Sequence, residues 1–201
     1  MPQHTTILHS PTGRIRLVYP SSEDDEATAA VREHPMSLQY LRFLPKKVTP
    51  EDTRNRREQR AEKPEIIDFN IHIVNPDGTT TFAGTTGIFN VDLEHESFEA
   101  GILVSPDLQR GGFATEALYT LLKYAFEEKN LHRGNFETSE DNLPMRSWLE
   151  NVLGAKLEGK RREAWKESEG RYRDVTSYSI LEQEWTSYAK ARLEKSMFDR
   201  I

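Results

Sequence analysis

Residues 104–117 read VSPDLQRGGFATEA, where an apolar strand ends, a glycine-rich turn follows and a long helix begins. Apolar residues then recur every three or four positions from Ala114 to Phe126, which is the spacing of one buried helix face. The first N–H groups of such a helix lack partners within it, and the helix dipole makes this end partially positive. Because glycines let an anion approach those N–H groups, the stretch predicts a phosphate-binding turn. Gln109 and Arg110 add side-chain donors.

Two common phosphate-binding motifs do not fit this turn. The P-loop needs Lys followed by Ser or Thr after its last glycine, whereas Phe113 and Ala114 stand here, so a P-loop nucleotide binder is a remote third interpretation. The dinucleotide fingerprint, with three spaced glycines in a parallel βαβ unit, is also absent. The pattern Gln-x-x-Gly-x-Ala, formed by Gln109, Gly112 and Ala114, resembles the acetyl-CoA pyrophosphate loop of the GNAT superfamily of N-acyltransferases.

The resemblance extends from about residue 66 to residue 185 and is similar in motif order to the RimJ/RimL-like branch. The motifs, in chain order, are Phe98-Glu99-Ala100-Gly101-Ile102, Gly112 to Ala117, Asn142, Gly154-Ala155, Glu158-Gly159, Arg173-Asp174, Tyr178 to Leu181 and Glu184-Trp185. It implies that the strand before the loop splays away from the next strand near Phe136, and that the pantetheine arm of acetyl-CoA enters the gap.

The resemblance also implies which residues bind acetyl-CoA as co-substrate, with no metal. They are Ile102, Leu103, Val104, Gln109, Arg110, Gly111, Gly112, Phe113, Ala114 and Asn142. The preferred donor to the oxyanion that develops on the thioester carbonyl is the backbone N–H of Leu103.

The attacking amine must lose a proton, and the resemblance aligns Glu99 with an acidic residue of this branch, so Glu99 is the candidate general base. Its side chain is expected to point away from Phe98 and Ile102, toward the opposite face of the strand. The alternative is a solvent-side residue or a partner for a nearby Arg. Family members often carry Ser or Tyr one turn after the asparagine, to protonate the CoA thiolate, but Met145 stands there. Ser147 and Tyr172 are near in sequence but do not match that position, so a water or a departing thiolate anion are the alternatives.

The rest of the chain predicts an α+β fold in one domain, residues 1–201: the GNAT fold, a mixed, mostly antiparallel sheet of about seven strands flanked by helices, with splayed central strands. The predicted strands are 14–19, 67–73, 79–91, 98–104, 135–138, 161–166 and 174–180, and the second, third and fourth of them form an antiparallel meander. One predicted helix begins near Ser21, and five more cover residues 36–44, 49–63, 114–126, 142–153 and 186–200.

Composition narrows the function classes. The 201 residues include 27 Lys and Arg against 33 Asp and Glu, a net charge of −6, which argues against a nucleic-acid partner. Cysteine is absent, which excludes disulfides and thiolate chemistry. No apolar run approaches the roughly 18 residues that cross a bilayer, and residues 1–10 do not form a secretory signal, so we expect a soluble cytoplasmic protein with no membrane partner.

The sequence therefore predicts an N-acetyltransferase that moves an acetyl group from acetyl-CoA to a primary amine by direct attack. The acceptor is a small-molecule amine or a protein N-terminus, and the chain is a monomer or homodimer. The alternative is a catalytically weak acyl-CoA-binding sensor. Net charge mildly favours cationic acceptors. The charged helix 49–63 is either a solvated face or a basic lid beside an anionic ligand.

Several other polar residues have two interpretations each. His72 lines the acceptor side or is a hydrogen-bonded surface residue, and Trp165 with Tyr172 walls the acceptor pocket or packs at a sheet edge. The basic run 160–162 holds the 3′-phosphate of CoA or is a solvated strand edge. His95 between two glutamates is a loop residue, because adjacent side chains of an extended chain do not converge on one metal ion.

Overall fold

The computed structural model describes residues 4–199, in which eight strands form one sheet in the order β1-β2-β3-β4-β5-β6-β8-β7. All neighbouring strands are antiparallel except the parallel pair β5 and β6, so the predicted mixed α+β class is confirmed. The strands are β1 Leu8–His9, β2 Ile15–Val18, β3 Ile67–Val74, β4 Thr80–Asp92, β5 Ser97–Val104, β6 Arg133–Ser139, β7 Lys156–Lys166 and β8 Tyr172–Leu181. The additional strand, β1, has two residues, too few to show a period-two pattern.

Helices cover both faces of the sheet. They are α1 Asp25–Glu33, α2 Pro35–Tyr40, α3 Pro50–Ala61, α4 Phe113–Lys123, α5 Leu143–Ser147, α6 Glu182–Glu184 and α7 Lys190–Phe198. Wider π-helical turns extend α4 through Tyr124–Glu128, α5 through Trp148–Leu153 and α6 through Trp185–Ala189. The second predicted helix ends four residues early, and β7 begins five residues before its predicted start because its charged, exposed residues hide the alternation.

The hydrophobic core lies between one face of the sheet and α4 with α7. Helix α4 packs against β2, β4, β5 and α7, and its leucines Leu118, Leu121 and Leu122 are buried. Trp185 is fully buried and stacks on Phe126 with ring centroids 5.7 Å apart. The opposite face carries α1, which contacts β4 and β5 and packs on α3. The functional cleft lies on this second face.

The central strands separate partway along their length, as predicted. Strands β5 and β6 pair only from Ser97 opposite Arg133 to Glu99 opposite Asn135. Beyond Glu99, β5 continues to Val104 beside β4, whereas β6 continues to Ser139 beside β8. A wedge therefore opens between the two strands directly after Glu99, and it leaves one edge of β5 without a neighbouring strand.

Candidate functional site

A cleft of about 790 Å³ joins this wedge to the helices α1, α2 and α3. Its floor is formed by β4, β5 and β6, and its outer wall by α1 to α3 with Trp165 of β7. Among the predicted site residues, those that line the cleft are Glu99, Ile102, Leu103, Val104, Gln109 and Asn142. The loop residues 110–114 lie directly after Gln109, at the start of α4. One cavity thus holds a predicted base, a free strand edge and the entry to a glycine-rich turn.

The backbone of β5 directs alternate amides toward the wedge. The Ser105 N–H donates to the Ala83 carbonyl of β4 at 2.7 Å, and the register from Gly84 opposite Val104 to Phe89 opposite Glu99 is unbroken. In an antiparallel ladder the residues that exchange hydrogen bonds alternate, so Leu103 bonds to β4 like Ser105. Ile102 and Val104 present their backbone N–H and C=O groups to the wedge. The predicted assignment of the oxyanion donor to the Leu103 N–H is therefore corrected, because that amide faces β4.

The glycine-rich loop has the backbone form of an anion cradle. Arg110 and Gly112 both adopt left-handed conformations, with φ of +67° and +83°, and α4 begins at Phe113. The first intrahelical bond runs from the Glu116 N–H to the Gly112 carbonyl, so the amides just before it have no partner within the helix. The Gln109 N–H instead donates to the Pro106 carbonyl at 3.3 Å. The amides that remain for a phosphate therefore start at Arg110.

The loop is braced by a side chain that sequence reasoning missed. Arg14, just before β2, donates to the Gly111 carbonyl at 2.8 Å and forms an ion pair with Glu116 at 3.0 Å. Its guanidinium also lies 4.8 Å from the centroid of the Phe113 ring. Glu116 is 1% exposed and accepts a second hydrogen bond from the Thr12 hydroxyl. Nearly a hundred residues separate Arg14 from the loop, so no local pattern signals this contact.

Glu99 occupies a half-buried position at the point where the wedge opens. Burial raises its pKa above the ordinary value of 4.5, and the negative charge of Glu137 raises it further. A hydrogen bond from the Asn90 amide at 3.0 Å and the charge of Arg161 oppose this shift. Within residues 4–199 no cation forms an ion pair with Glu99, since Arg161 pairs with Glu137 instead. A raised pKa makes the carboxylate a stronger base than an exposed one.

Asn142 caps α5 at the edge of the cleft. Its side-chain oxygen accepts from the Met145 N–H at 3.3 Å, and its amide donates to the Thr138 hydroxyl at 3.0 Å. Met145 lines the cleft and carries no proton to donate. Ser147 is exposed and accepts from Asn151, and Tyr172 is 55% exposed beside Lys166, so neither lines the cleft.

The outer wall of the cleft is rich in arginine. Arg32 of α1 and Arg56, Arg57 and Arg60 of α3 all line it. Arg57 makes a bidentate pair with Asp25 at 3.0 and 2.8 Å. On the far side of α3, Arg54 pairs with Glu58 in solvent. One face of α3 is therefore solvated and the other lines the cleft, and a basic lid beside an anionic ligand stays a prediction.

The other ambiguous residues take the following places. His72 bonds to Asp24 at 2.8 Å and Thr80 at 3.2 Å and does not line the cleft, which matches the hydrogen-bonded interpretation. Although burial opposes it, hydrogen bonds from His72 and Asn70 lower the pKa of Asp24. Lys160 pairs with Glu140 and Asp174 on the strand edge. Trp165 lines the cleft and meets Phe43 edge-on, with ring centroids 5.1 Å apart.

The described residues contain neither a candidate membrane span nor a candidate metal site. In residues 4–199 no helix combines the length and apolarity needed to span a membrane. Over the same residues, no three His, Asp or Glu side chains are grouped so as to hold a metal ion.

Comparison with known proteins gives consistent matches. Residues 14–153 match the family model of the acetyltransferase (GNAT) domain. The chain is 33% identical over 99 residues to an uncharacterized N-acetyltransferase, YnaD, of Bacillus subtilis (strain 168); this match covers 46% of the chain and 52% of YnaD. The chain thus spans about half the length of the curated relatives it matches.

Two solved structures show a similar fold at lower identity. Mycobacterium smegmatis RimJ, in complex with CoA-disulfide, superposes with a TM-score of 0.79 at 24% identity, covering 98% of this chain and 97% of that one. Spermidine N-acetyltransferase from Vibrio cholerae, in complex with CoA and spermine, superposes with a TM-score of 0.75 at 20% identity, covering 87% and 99%.

Proposed function

Because this chain belongs to the GNAT acetyltransferase family, we propose that it transfers an acetyl group from acetyl-CoA to a primary amine by direct attack on the thioester. The observation that carries the proposal is the wedge that opens directly after Glu99 and leads to the glycine-rich loop. The motif order further supports a RimJ/RimL-like enzyme. A single domain, a cytoplasmic location and a monomer or homodimer stay predictions from the sequence.

The residues present fit acetyl-CoA along the cleft. The free amides that start at Arg110 and the left-handed Gly112 suit a pyrophosphate, since positive helix-end charge and small residues face it. The backbone groups of Ile102 and Val104 suit the amide-bearing pantetheine arm, which pairs with a free strand edge much as another strand would. Asn142 lines the same cleft and would contact that arm. When bound, acetyl-CoA supplies an acetyl group activated as a thioester.

Glu99 then removes a proton from the attacking amine, directly or through one water. A general base works best when its pKa lies near the working pH, so the raised pKa of Glu99 makes its carboxylate a better proton acceptor near neutral pH. As the amine nitrogen bonds to the acetyl carbon, negative charge develops on the carbonyl oxygen. We assign its stabilisation to the Ile102 N–H, which faces the wedge near Glu99, in place of the Leu103 N–H.

The breaking carbon–sulfur bond leaves its electron pair on sulfur. Met145 does not protonate it, and Ser147 and Tyr172 lie outside the cleft. The thiolate therefore departs as an anion or takes a proton from water. The lack of a donor at the position that the family motif names, where Met145 stands, is the observation that favours the second candidate function, a catalytically weak acyl-CoA sensor.

The first experiment combines calorimetric titration with acetyl-CoA and an assay of amine-dependent CoA release with a thiol reagent. The chain contains no cysteine, so the protein adds no background to the thiol signal. We expect micromolar binding and CoA release that depends on added amine. Binding without release from any amine in a panel of peptides, polyamines and amino acids supports the sensor instead. Absence of acetyl-CoA binding rejects both functions.

A further inference from the structure

Two arginines of the cleft wall have no carboxylate partner. Arg57 and Arg60 are each neutralised by a bidentate carboxylate, Asp25 and Asp68 respectively. Arg32 and Arg56 line the same wall, yet no carboxylate of residues 4–199 forms an ion pair with either. The wall therefore carries two guanidinium groups that form no ion pair within residues 4–199, and the charge of Asp68, which already pairs with Arg60, offsets them only in part.

These charges act on one another. Desolvation at the cleft wall, then the positive charges of Arg32 and Arg60, lower the pKa of Arg56 to about 10 against the opposing negative charge of Asp68. Desolvation and the charge of Arg60 also lower the pKa of Arg32. Both groups stay charged at neutral pH. Their mutual repulsion is relieved when an anion binds between them, because each guanidinium then gains an opposite charge.

Two buried hydroxyls of the same wall are without hydrogen-bond partners. Ser37 of α2 and Thr53 of α3 are each 5% exposed, and both line the cleft. Their oxygens make no hydrogen bond within the described residues. Thr53 precedes Arg56 by one helical turn, so the hydroxyl and the guanidinium lie on the same side of α3. Buried hydroxyls are seldom left unsatisfied, which points independently to a polar ligand at this wall.

The wall adjoins the proposed base. The Arg60 guanidinium lies 5.8 Å from the centroid of the Phe89 ring, and Phe89 is the direct cross-strand neighbour of Glu99. The same cleft therefore has the Glu99 carboxylate at the wedge and, on its outer wall, Arg32 and Arg56 without an ion pair among residues 4–199. A molecule with an amine at one end and an anionic group at the other would match this arrangement, with its amine toward Glu99 and its anion toward the two arginines.

We propose that the acceptor is a primary amine that also carries a carboxylate or phosphate, held by Arg32 and Arg56 while its amine reaches Glu99. This inference rests on the proposed function and names its substrate class. It reverses the expectation from net charge, which favours cationic acceptors, because the local charge of the wall decides what binds there. Two sources carry this chemistry: an acidic protein N-terminus and a small acidic amino compound.

The test uses three hexapeptides that differ only at positions two and three, as Ser-Glu-Glu, Ser-Gln-Gln or Ser-Lys-Lys, together with free glutamate and phosphoethanolamine. We expect kcat/KM at least about tenfold higher for the acidic compounds than for the neutral peptide, the size of one charged hydrogen bond. High rates with the small compounds and not with the acidic peptide identify the small-molecule source, and the reverse identifies the protein N-terminus. Equal rates across the peptides, with no preference for the small acids, overturn the proposal.

The variants separate a specific anion site from general charge. Arg56→Gln and Arg32→Gln are expected to raise the KM of the preferred acidic acceptor about tenfold without changing that of the neutral peptide. Arg54→Gln removes the same charge from the same helix on its solvent side and should change neither. Arg56→Glu should shift the preference toward the Ser-Lys-Lys peptide. Equal losses in Arg54→Gln and Arg56→Gln contradict a specific site.

A binding measurement keeps this inference distinct from the proposed function. Each acidic compound is titrated by calorimetry into the protein saturated with CoA, where no turnover is required. Binding that Arg56→Gln weakens, in a protein that never releases CoA from acetyl-CoA, rejects the transferase and retains the anion site. Turnover of amines with no acidic preference rejects the anion site and retains the transferase.

Discussion

The two ends of the cleft are built in different ways. The proposed cofactor end consists of backbone amides from consecutive residues after Gln109, at the start of α4. The proposed acceptor wall consists of side chains from three helices, with Arg32 and Arg56 brought together only where α1 packs on α3. A backbone site is specified by a short local motif, whereas a side-chain wall depends on how helices are placed. Family resemblance therefore informs the first end far more than the second.

The largest effect is expected at the cofactor end, from Gly112→Glu. The new carboxylate adds a negative charge to the loop proposed to hold the pyrophosphate, and the repulsion should remove at least two charged hydrogen bonds. Each such bond contributes about 2 kcal/mol, so acetyl-CoA affinity should fall on the order of a thousandfold in calorimetry. An unchanged affinity would contradict the assignment of this loop.

The matched control is Gly78→Glu. Gly78 has φ of +85°, close to the +83° of Gly112, and nothing lies within 4 Å of an added Cβ there. It sits in the turn between β3 and β4, so it imposes the same backbone strain away from the cleft. We expect both variants to lose similar stability and only Gly112→Glu to lose affinity.

The second largest effect is expected from Glu99→Gln, at the point where the proposed cofactor end and acceptor wall meet. Glu99→Gln should reduce turnover on the order of a hundredfold and leave acetyl-CoA affinity unchanged, as expected for loss of a general base. Its melting temperature at pH 7 should be equal or higher. A carboxyl whose pKa is raised in the folded state contributes less to stability once pH exceeds that pKa, and the neutral amide avoids this loss. Equal turnover would reject the role of Glu99.

The pH profile sharpens the same assignment. Activity should fall as pH drops through the pKa of Glu99, which lies above the ordinary 4.5. Glu137→Gln removes the like charge that raises this pKa, so the acidic limb of kcat/KM should move to lower pH. If the limb stays in place in Glu137→Gln, a group other than Glu99 titrates there.

The smallest change in acetyl-CoA affinity is expected when Arg14, which braces the glycine-rich loop, is replaced. Arg14→Gln removes the hydrogen bond to Gly111 and should weaken acetyl-CoA binding only about fivefold, since the amides themselves remain. It should also lower stability by about 3 kcal/mol, because Glu116 is left buried with only the Thr12 hydroxyl and no cationic partner. The double variant Arg14→Gln, Glu116→Gln is expected to recover stability but not affinity. Recovery of both would limit Arg14 to a structural role.

Prediction from the sequence succeeded where periodicity and local motifs operate. The helix stripe from Ala114 to Phe126, the alternation of β3 and the glycine-rich turn all give regular patterns, and these elements lie where expected. The charged strand β7 was predicted too short, because residues exposed on both faces leave no alternation. The direction of each backbone N–H in β5 was also missed. It depends on which residues of β5 form hydrogen bonds with β4, and the pattern of side chains does not reveal this.

The sequence by itself thus determined the family, the class of fold and the position of the loop, because each depends on neighbouring residues or on a repeating pattern. The tertiary structure alone decided that Arg14 braces the loop, that the Leu103 amide faces β4, and that Arg32 and Arg56 share one wall with two unsatisfied hydroxyls. These contacts join residues far apart in the chain, and which side chains meet follows from helix packing and strand register.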